Sequence, residues 1–467
     1  MTRPSLLSFL LLAVASGATA QDFPSTPPAP AAPRAFEIPE GRTISLDNGV
    51  DVTLVPYGNT PKASVQAVIR MGNVDESADE TGWADLATDL LTEGTMTRSA
   101  EDIAREMAEM GGSVSAGAGL DQASVSGRVL SEFTPDLVGL IADLLRNPSF
   151  PEDAFERVQR NAIRGAAVAR SQPGTLARAA FREALYGDHP YAAVVLPDVA
   201  DLESATVDDI QRFYDAHVGP QRTHLYIVGR FDAAAVEAAA RDAFEGWTGG
   251  PEMALPTPPE VTAGRRIVLI DQPGAAQSNV IVGLPTLDPS AEDYVALQVT
   301  NSLLGGSFGS RITRNIREDK GYTYSPSSSV SVRYRDGYWA ETAAIQTPFT
   351  GPAISEILHE IDNLATTAPS AEELEGIQNF LAGTFVLQNS SAGGIASYLA
   401  FLDLHGLDRD ALESYVEDVY AVTPEDVRRI TADLIRSEDL TIVVVGDRSA
   451  VEGQLAPFGE VSVETIE

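Results

Sequence analysis

Apolar positions recur along this chain with two periods. From Thr43 to Val55 (TISLDNGVDVTLV) they alternate around Asn48-Gly49, which predicts two strands joined by a turn. Ala63 to Met71 predicts another strand. Residues 83–93 and 99–110 carry apolar side chains three and four apart and predict helices. The second has Ser99 placed to cap its start, Asp102 three residues on and Gly111 just past its end. Val114 to Val129 (VSAGAGLDQASVSGRV) alternates small and β-forming residues and predicts a Gly-rich hairpin. Long helices are expected from Pro135 to Arg146 and from Pro151 to Arg170, then another over 206–218. His224 to Gly229 reads as a buried strand, because its apolar run is nearly unbroken.

The end of this pattern occurs twice. Thr206-Val-Asp-Asp-Ile, then the strand ending at Gly229, is matched by Thr423-Pro-Glu-Asp-Val and the strand ending at Gly446. Both pairs lie 217 residues apart, an equal offset over a helix and a strand. Two duplicated halves follow, over 43–247 and 265–460, joined by a Pro/Gly-rich linker over 248–264. The expected fold class is α+β: each half an α/β sandwich with a mixed, mostly antiparallel sheet and helices packed on one face.

Composition narrows the chemistry. The chain has 467 residues, no cysteine, five histidines and a net charge of −35. Without a thiol there is no disulfide, iron–sulfur cluster or Cys-ligated zinc. The acidic balance repels phosphates and argues against nucleic acid as a partner. Arg3, the apolar stretch Leu6–Val14 and Ala18-Thr19-Ala20 have the order of a secretory signal peptide over residues 1–20. A Pro/Ala-rich linker over 21–42 follows. No later segment resembles a membrane span. The expectation is an exported protein, periplasmic in a Gram-negative source.

The segment Gly72-Asn-Val-Asp-Glu76, then Thr81-Gly-Trp-Ala-Asp85-Leu-Ala-Thr88-Asp89, then Gly94-Thr95, resembles the zinc-binding region of the pitrilysin/insulinase family of metallopeptidases, which includes the mitochondrial processing peptidases. Met110–Ala116, Asn147–Phe150 and Tyr186–Tyr191 resemble further family segments. Gly305-Gly-Ser-Phe-Gly-Ser-Arg311, followed by Ile316–Ser325, resembles the signature of the family's second half. The likeness spans nearly the whole chain after residue 42.

The departure from the family pattern is specific. The family places two histidines four apart on a helix, with a glutamate base between them. Here Asp85 and Asp89 stand for the histidines and Thr88 for the base. The third ligand, a later glutamate, should fall near residues 157–166, but no Asp or Glu occurs from Arg157 to Arg182. Asp85 and Asp89 share a helix face, yet hard cations want more oxygens than two carboxylates offer. They read as a solvated face. His189, His217, His224, His359 and His405 have no ligand spacing and read as structural.

The resemblance implies that Arg317 and Tyr324 are the family's Arg and Tyr, which reach the zinc site from the second half or from a partner. A tyrosine hydroxyl can stabilise the oxyanion that develops on an attacked carbonyl. A guanidinium can hold a substrate backbone or carboxylate in a fixed fork. Tyr322, two residues before Tyr324 and on the same face if this is a strand, is the neighbouring candidate. The implied function is a non-zinc subunit of a heterodimeric metallopeptidase, acting on peptides, with no cofactor of its own and zinc in a homologous partner. Alternatives are a non-enzymatic scaffold or peptide-binding protein of the same fold, and a homodimer with altered metal chemistry. Arg157, Arg160, Arg164, Arg170, Arg178 and Arg182 form a separate basic stretch, whose plain reading is pairing with acidic neighbours. N-terminal sequencing of the protein from its source is expected to start at Gln21, and retention of Met1 would contradict export by this signal.

Overall fold

The turn at Asn48-Gly49 joins strand β1 (Arg42–Ser45) to β2 (Asp51–Pro56) and opens the first of two six-stranded sheets. The computed structural model describes residues 40–193, 196–260 and 264–464. The expected signal peptide over 1–20 and nearly all of the expected linker over 21–42 lie outside the described residues. The first sheet continues with β3 (Lys62–Ile69), β4 (Ser113–Ala118), β5 (Ala123–Leu130) and β6 (Thr223–Gly229), in the order β1-β2-β6-β3-β5-β4. The second comprises β7 (Arg266–Asp271), β8 (Gln277–Thr286), β9 (Ser327–Arg333), β10 (Asp336–Gln346), β11 (Thr441–Gly446) and β12 (Val461–Glu464), in the order β12-β7-β11-β8-β10-β9.

Five strands of each sheet obey one plan. β2 runs parallel to β6, as β7 does to β11. β3 and β8 then pair antiparallel with both neighbours. Only the outer strand differs, since β1 is antiparallel to β2 whereas β12 is parallel to β7. The duplicated helix starts are identical in mechanism. Thr206 and Thr423 each cap with the hydroxyl, and Asp209 and Asp426 return the bond to the capping backbone. The two-half α+β organisation is therefore as the sequence indicates. Among the described residues, no helix is long and apolar enough to cross a membrane.

Each half builds its main core on one sheet face. In the first, Val52, Leu54, Val65, Ala67, Leu225 and Ile227 meet helices of residues 83–244. In the second, Leu269, Val280, Val282, Ile442, Val444 and Trp339 meet helices of residues 294–455. Residues of the opposite parity point to the other face, and there the halves exchange cover. The helix Pro173–Tyr186 of the first half lays Ala177, Ala180 and Phe181 on Val268, Ile281, Val443 and Val445. The helix Ala392–His405 of the second half lays Ile395, Ala396 and Ala400 near Val55, Val68, Tyr226 and Val228. Gly283 of β8 is shaped to this docking, because a Cβ there would come within 2.7 Å of the Phe181 ring and 2.5 Å of the Trp339 carbonyl.

Polar links reinforce both seats. Tyr226 donates its hydroxyl to Asp403 on the Ala392–His405 helix (3.1 Å), and Arg70 also pairs with Asp403 (3.2 Å). His224 lies 3.5 Å from the same carboxylate and stacks on Tyr226. Burial alone would raise the pKa of Asp403, but His224, Arg70 and Tyr226 together hold it below the usual range. On the other side, buried Arg333 lies over the rings of Tyr186, Tyr191 and Tyr338, at 5.1, 5.4 and 4.6 Å. Tyr186 donates to Asp336 (2.7 Å), which faces Arg333 at 3.6 Å, and Tyr191 donates to Asp121.

If the Pro173–Tyr186 helix is a required part of the second sheet's cover, Phe181→Ala will cost about 3–5 kcal/mol of unfolding free energy. Val168→Ala, at an exposed position on the preceding helix, will stay within about 0.5 kcal/mol. Urea unfolding followed by circular dichroism measures both.

Candidate functional site

The second half carries the more elaborate site. After the helix Tyr294–Asn301 the backbone widens into a π-helical turn over Ser302–Gly306, and a second such turn covers Arg314–Asp319. Turns of this kind are rare and concentrate at functional sites. Two glycines make the first one possible. A Cβ on Gly305 would lie 2.4 Å from Glu341 Oε2 and 2.5 Å from Ser328 Oγ, and one on Gly306 would lie 2.5 Å from Asn301 Nδ2. Beneath the turn, Asn301 Oδ1 accepts from Ser328 Oγ (2.7 Å) and from Trp339 Nε1 (3.0 Å).

The turn presses Phe308 outward, leaving it 74% exposed. The Arg317 guanidinium sits 4.3 Å from the Phe308 ring centroid and 5.4 Å from that of Tyr324. Arg317 is thus held by two aromatic faces, while Tyr324 is 80% exposed. Among the described residues the ion pair of Arg317 is with its exposed neighbour Glu318, at 3.3 Å. Such a pair is weakly held in water. The three side chains border a cavity of about 310 Å³ lined also by Gly305, Ser325 and Ser327. The two residues singled out from the sequence therefore come together. The backbone around Tyr324 is a loop and not the strand assumed for it, since only Thr323 makes a bridge, to Ile345. Tyr322 turns the other way and stacks on Phe349 at 4.8 Å. The two tyrosines thus do not share a face.

Glu341 was not anticipated. It lies in β10, 1% exposed, and neither carboxyl oxygen makes a hydrogen bond of ordinary geometry. Burial pushes its pKa well above the ordinary carboxyl range. The signal was present in the strand alternation. Trp339, Glu341, Ala343 and Ile345 share one parity and all are buried, so the acid stands in a core position.

In the first half, Asp85, Thr88 and Asp89 occupy the helix Trp83–Leu90. Its start is fixed by Glu76, whose carboxylate accepts from the backbone of Ala84 (2.9 Å) and Gly82 (3.0 Å). Asn73 Nδ2 donates to both Glu76 (3.2 Å) and Asp85 (3.0 Å). Burial raises the pKa of Glu76 to about 7, against the pull of those hydrogen bonds. Thr88 is buried and donates to the Ala84 carbonyl (3.0 Å), so its hydroxyl is engaged in its own helix. Asp85 and Asp89 reach solvent from a recessed surface, where crowding by protein raises both carboxyl pKa values. For Asp89 the charges of Asp85 and Glu93 add to this. The donor set of two aspartates and a helix-bonded threonine does not fit a tetrahedral zinc site. Among the described residues no group of three or more His, Asp or Glu is placed to hold a metal ion.

The remaining sequence candidates are occupied structurally. His224 bridges Thr53 (2.8 Å) and Tyr226 (3.1 Å). His189 lies 3.0 Å from the Thr257 carbonyl, and buried His405 ends its helix with its pKa lowered to about 4 by burial. In the basic stretch Arg157 pairs with Glu93 and Arg160 with Glu156, while Arg164 bonds Asn161. Arg170 and Arg178 bond the Pro197 carbonyl and the Thr175 hydroxyl. Neighbours inside the fold account for these five side chains.

Comparison with known proteins fits this geometry. Residues 52–197 match the family described as Insulinase (Peptidase family M16), and residues 204–381 match its companion, Peptidase M16 inactive domain. An uncharacterized zinc protease of Streptomyces coelicolor is 27% identical over 413 residues, covering 86% of this chain and 89% of that protein. One from Mycobacterium bovis is 26% identical over 420 residues, covering 88% and 93%. Among solved structures, a peptidase M16 inactive domain from Pseudomonas fluorescens superposes with TM-score 0.80 at 22% identity, covering 87% of this chain and 98% of that one. A protease from Helicobacter pylori gives 0.81 at 20% identity, covering 88% and 100%.

The Glu76 cap has a pH signature. A carboxyl raised from 4.5 to about 7 binds its proton more tightly folded than unfolded. Its contribution is complete below pH about 4.5 and lost as pH rises through about 7, by on the order of 3 kcal/mol. Glu76→Gln cannot titrate, so the fall in urea midpoint from pH 4.5 to 8 is expected to be shallower in the variant. Equal slopes would show that Glu76 is not the titrating group.

Proposed function

The chain belongs to the insulinase family of peptidases, and from that premise we propose that it is an exported, non-zinc subunit of a heterodimeric peptidase. Its partner would be a homologous chain carrying the intact His-x-x-Glu-His motif, and the substrate a peptide enclosed between the two. The observation that carries this reading is the state of Arg317 and Tyr324. A relic pair would be free to lose its geometry, whereas here the guanidinium is braced by Phe308 and Tyr324 at the mouth of an open cavity.

The chemistry assigned to this chain is limited to its own residues. Tyr324 has an exposed hydroxyl that can donate to the oxygen on which negative charge develops when a peptide carbonyl is attacked. Arg317 offers its fork to the substrate backbone or a substrate carboxylate, with little competition from Glu318. The first half contributes wall and no metal ligands, because Asp85, Thr88 and Asp89 are a poor set for zinc. On this reading zinc resides in the partner, and the isolated chain has no peptidase activity. A scaffold without enzymatic use would have the same fold but would not depend on Tyr324.

Mixing the chain with its zinc-bearing partner is expected to yield peptide cleavage that neither gives alone. Tyr324→Phe should lower kcat of the mixture by about 10²-fold with little change in KM, the loss typical of one oxyanion donor. Cleavage that survives both Tyr324→Phe and Arg317→Ala at full rate would favour the scaffold.

A further inference from the structure

The first sheet changes character across the face it turns to the second half. Over β2, β6 and β3 that face is apolar, with Val55, Tyr226, Val228 and Val68 beneath the Ala392–His405 helix. Beyond them it becomes polar. Strand register aligns Ser64, Arg128 and Ser113 in one row across β3, β5 and β4. It aligns Gln66, Ser126 and Ser115 in the next. The Ala392–His405 helix borders these rows through Gly393, Ala396 and Ser397, and a groove of about 410 Å³ lies between.

Two features separate this groove from an ordinary solvated sheet face. Its lining contains no Asp or Glu, in a chain that has 67 of them. Its single cation, Arg128, is exposed and forms no ion pair or side-chain hydrogen bond among the described residues. Elsewhere in the same half, Arg98 pairs with Glu106 and Asp143, and Arg105 with Asp102. The hydroxyls are lightly engaged as well, with Ser115 and Ser126 3.3 Å apart and Ser397 3.5 Å from Gln66.

We infer that the groove between the β3–β5–β4 face and the Ala392–His405 helix binds the carboxylate end of an extended peptide at Arg128. A guanidinium fork matches a carboxylate in shape and charge. Serines two residues apart on a strand repeat about every 7 Å, the repeat of the peptide groups in an extended chain. The choice of a peptide as ligand rests on the proposed peptidase reading. The carboxylate recognition needs neither the zinc-bearing partner nor Tyr324.

The test uses the isolated full-length chain and a short, N-terminally labelled Ala/Val/Ser peptide, made with a free C-terminal carboxylate and as its C-terminal amide. Fluorescence anisotropy at low salt is expected to show the acid binding about tenfold more tightly than the amide. Arg128→Ala should abolish that preference, Arg128→Lys should keep part of it, and Arg160→Ala, at an exposed helix arginine that does not line the groove, should leave it intact. Three results would overturn the inference: no preference in the wild type, a preference that persists in Arg128→Ala, or one lost equally in Arg160→Ala. None of these bears on cleavage by the mixed subunits, which tests the Arg317 and Tyr324 reading separately.

Discussion

The central strands of both sheets bury two faces, and in each the second face is covered by a helix from the other half. That constraint organises the molecule. A central strand such as β11, buried along its whole length, loses water on both sides and needs apolar partners on both. One set comes from its own half and the other from the Pro173–Tyr186 helix across the junction. The reverse exchange uses the Ala392–His405 helix. Each half is therefore part of the other's core, and the two orient one another without relying on the connection over 248–264.

The polar groups at the junction follow from the same geometry. Arg333 has lost its water and is compensated by Asp336 and three tyrosine rings, two of them, Tyr186 and Tyr191, from the first half, where Asp121 accepts from Tyr191. Buried ionic groups of this kind add little net stability, but removing one member strands the others at a cost of several kcal/mol. Their geometric demands fit one docking and penalise a slipped one. The network lies at the end of the β9–β10 hairpin, and the loop that carries Tyr324 leads directly into β9. The junction and the Arg317 cavity thus share a structural element, and the hairpin that locks the halves also fixes where Tyr324 begins.

Much of this was legible in the sequence, and the boundary of legibility is physical. Alternation and caps gave the first-half strands and most of its helices to within a few residues, and the equal spacing of Thr206 to Thr423 and Gly229 to Gly446 revealed the duplication. Helices 199–204 and 233–244 went unread, and so did helix 173–186, although Pro173 at its start and Gly187 past its end mark it. Even when recognised, its apolar stripe states only that a face is buried, not that the burying surface belongs to the other half. Periodicity encodes orientation within an element and carries no address. The family likeness brought Arg317 and Tyr324 forward as a pair. Their actual relation depends on two widened helical turns, for which local sequence has no reliable sign beyond the glycines at 305 and 306.

The duplication lets the two halves serve as controls for one another. In each, the second of the shared strands leads to a helix, a loop, a second helix segment and a hairpin: Trp83–Leu90 to β4–β5 in the first half, Tyr294–Asn301 to β9–β10 in the second. The first half spends its helix start on the Glu76 cap and shows solvent only Asp85 and Asp89. The second half widens the end of the equivalent helix, and this lifts Phe308 out and turns Arg317 toward Tyr324. The first half thus shows a carboxylate surface on the first helix of this unit, and the second half a braced cation beside an exposed phenol on the second helix segment and the loop after it. A chain that needed only to fold could have kept both versions as well-packed helices. The second half instead keeps two π-helical turns, a buried carboxyl without an ordinary hydrogen bond and an exposed phenylalanine. Each costs stability, and their common effect is to hold one guanidinium beside one hydroxyl at the surface.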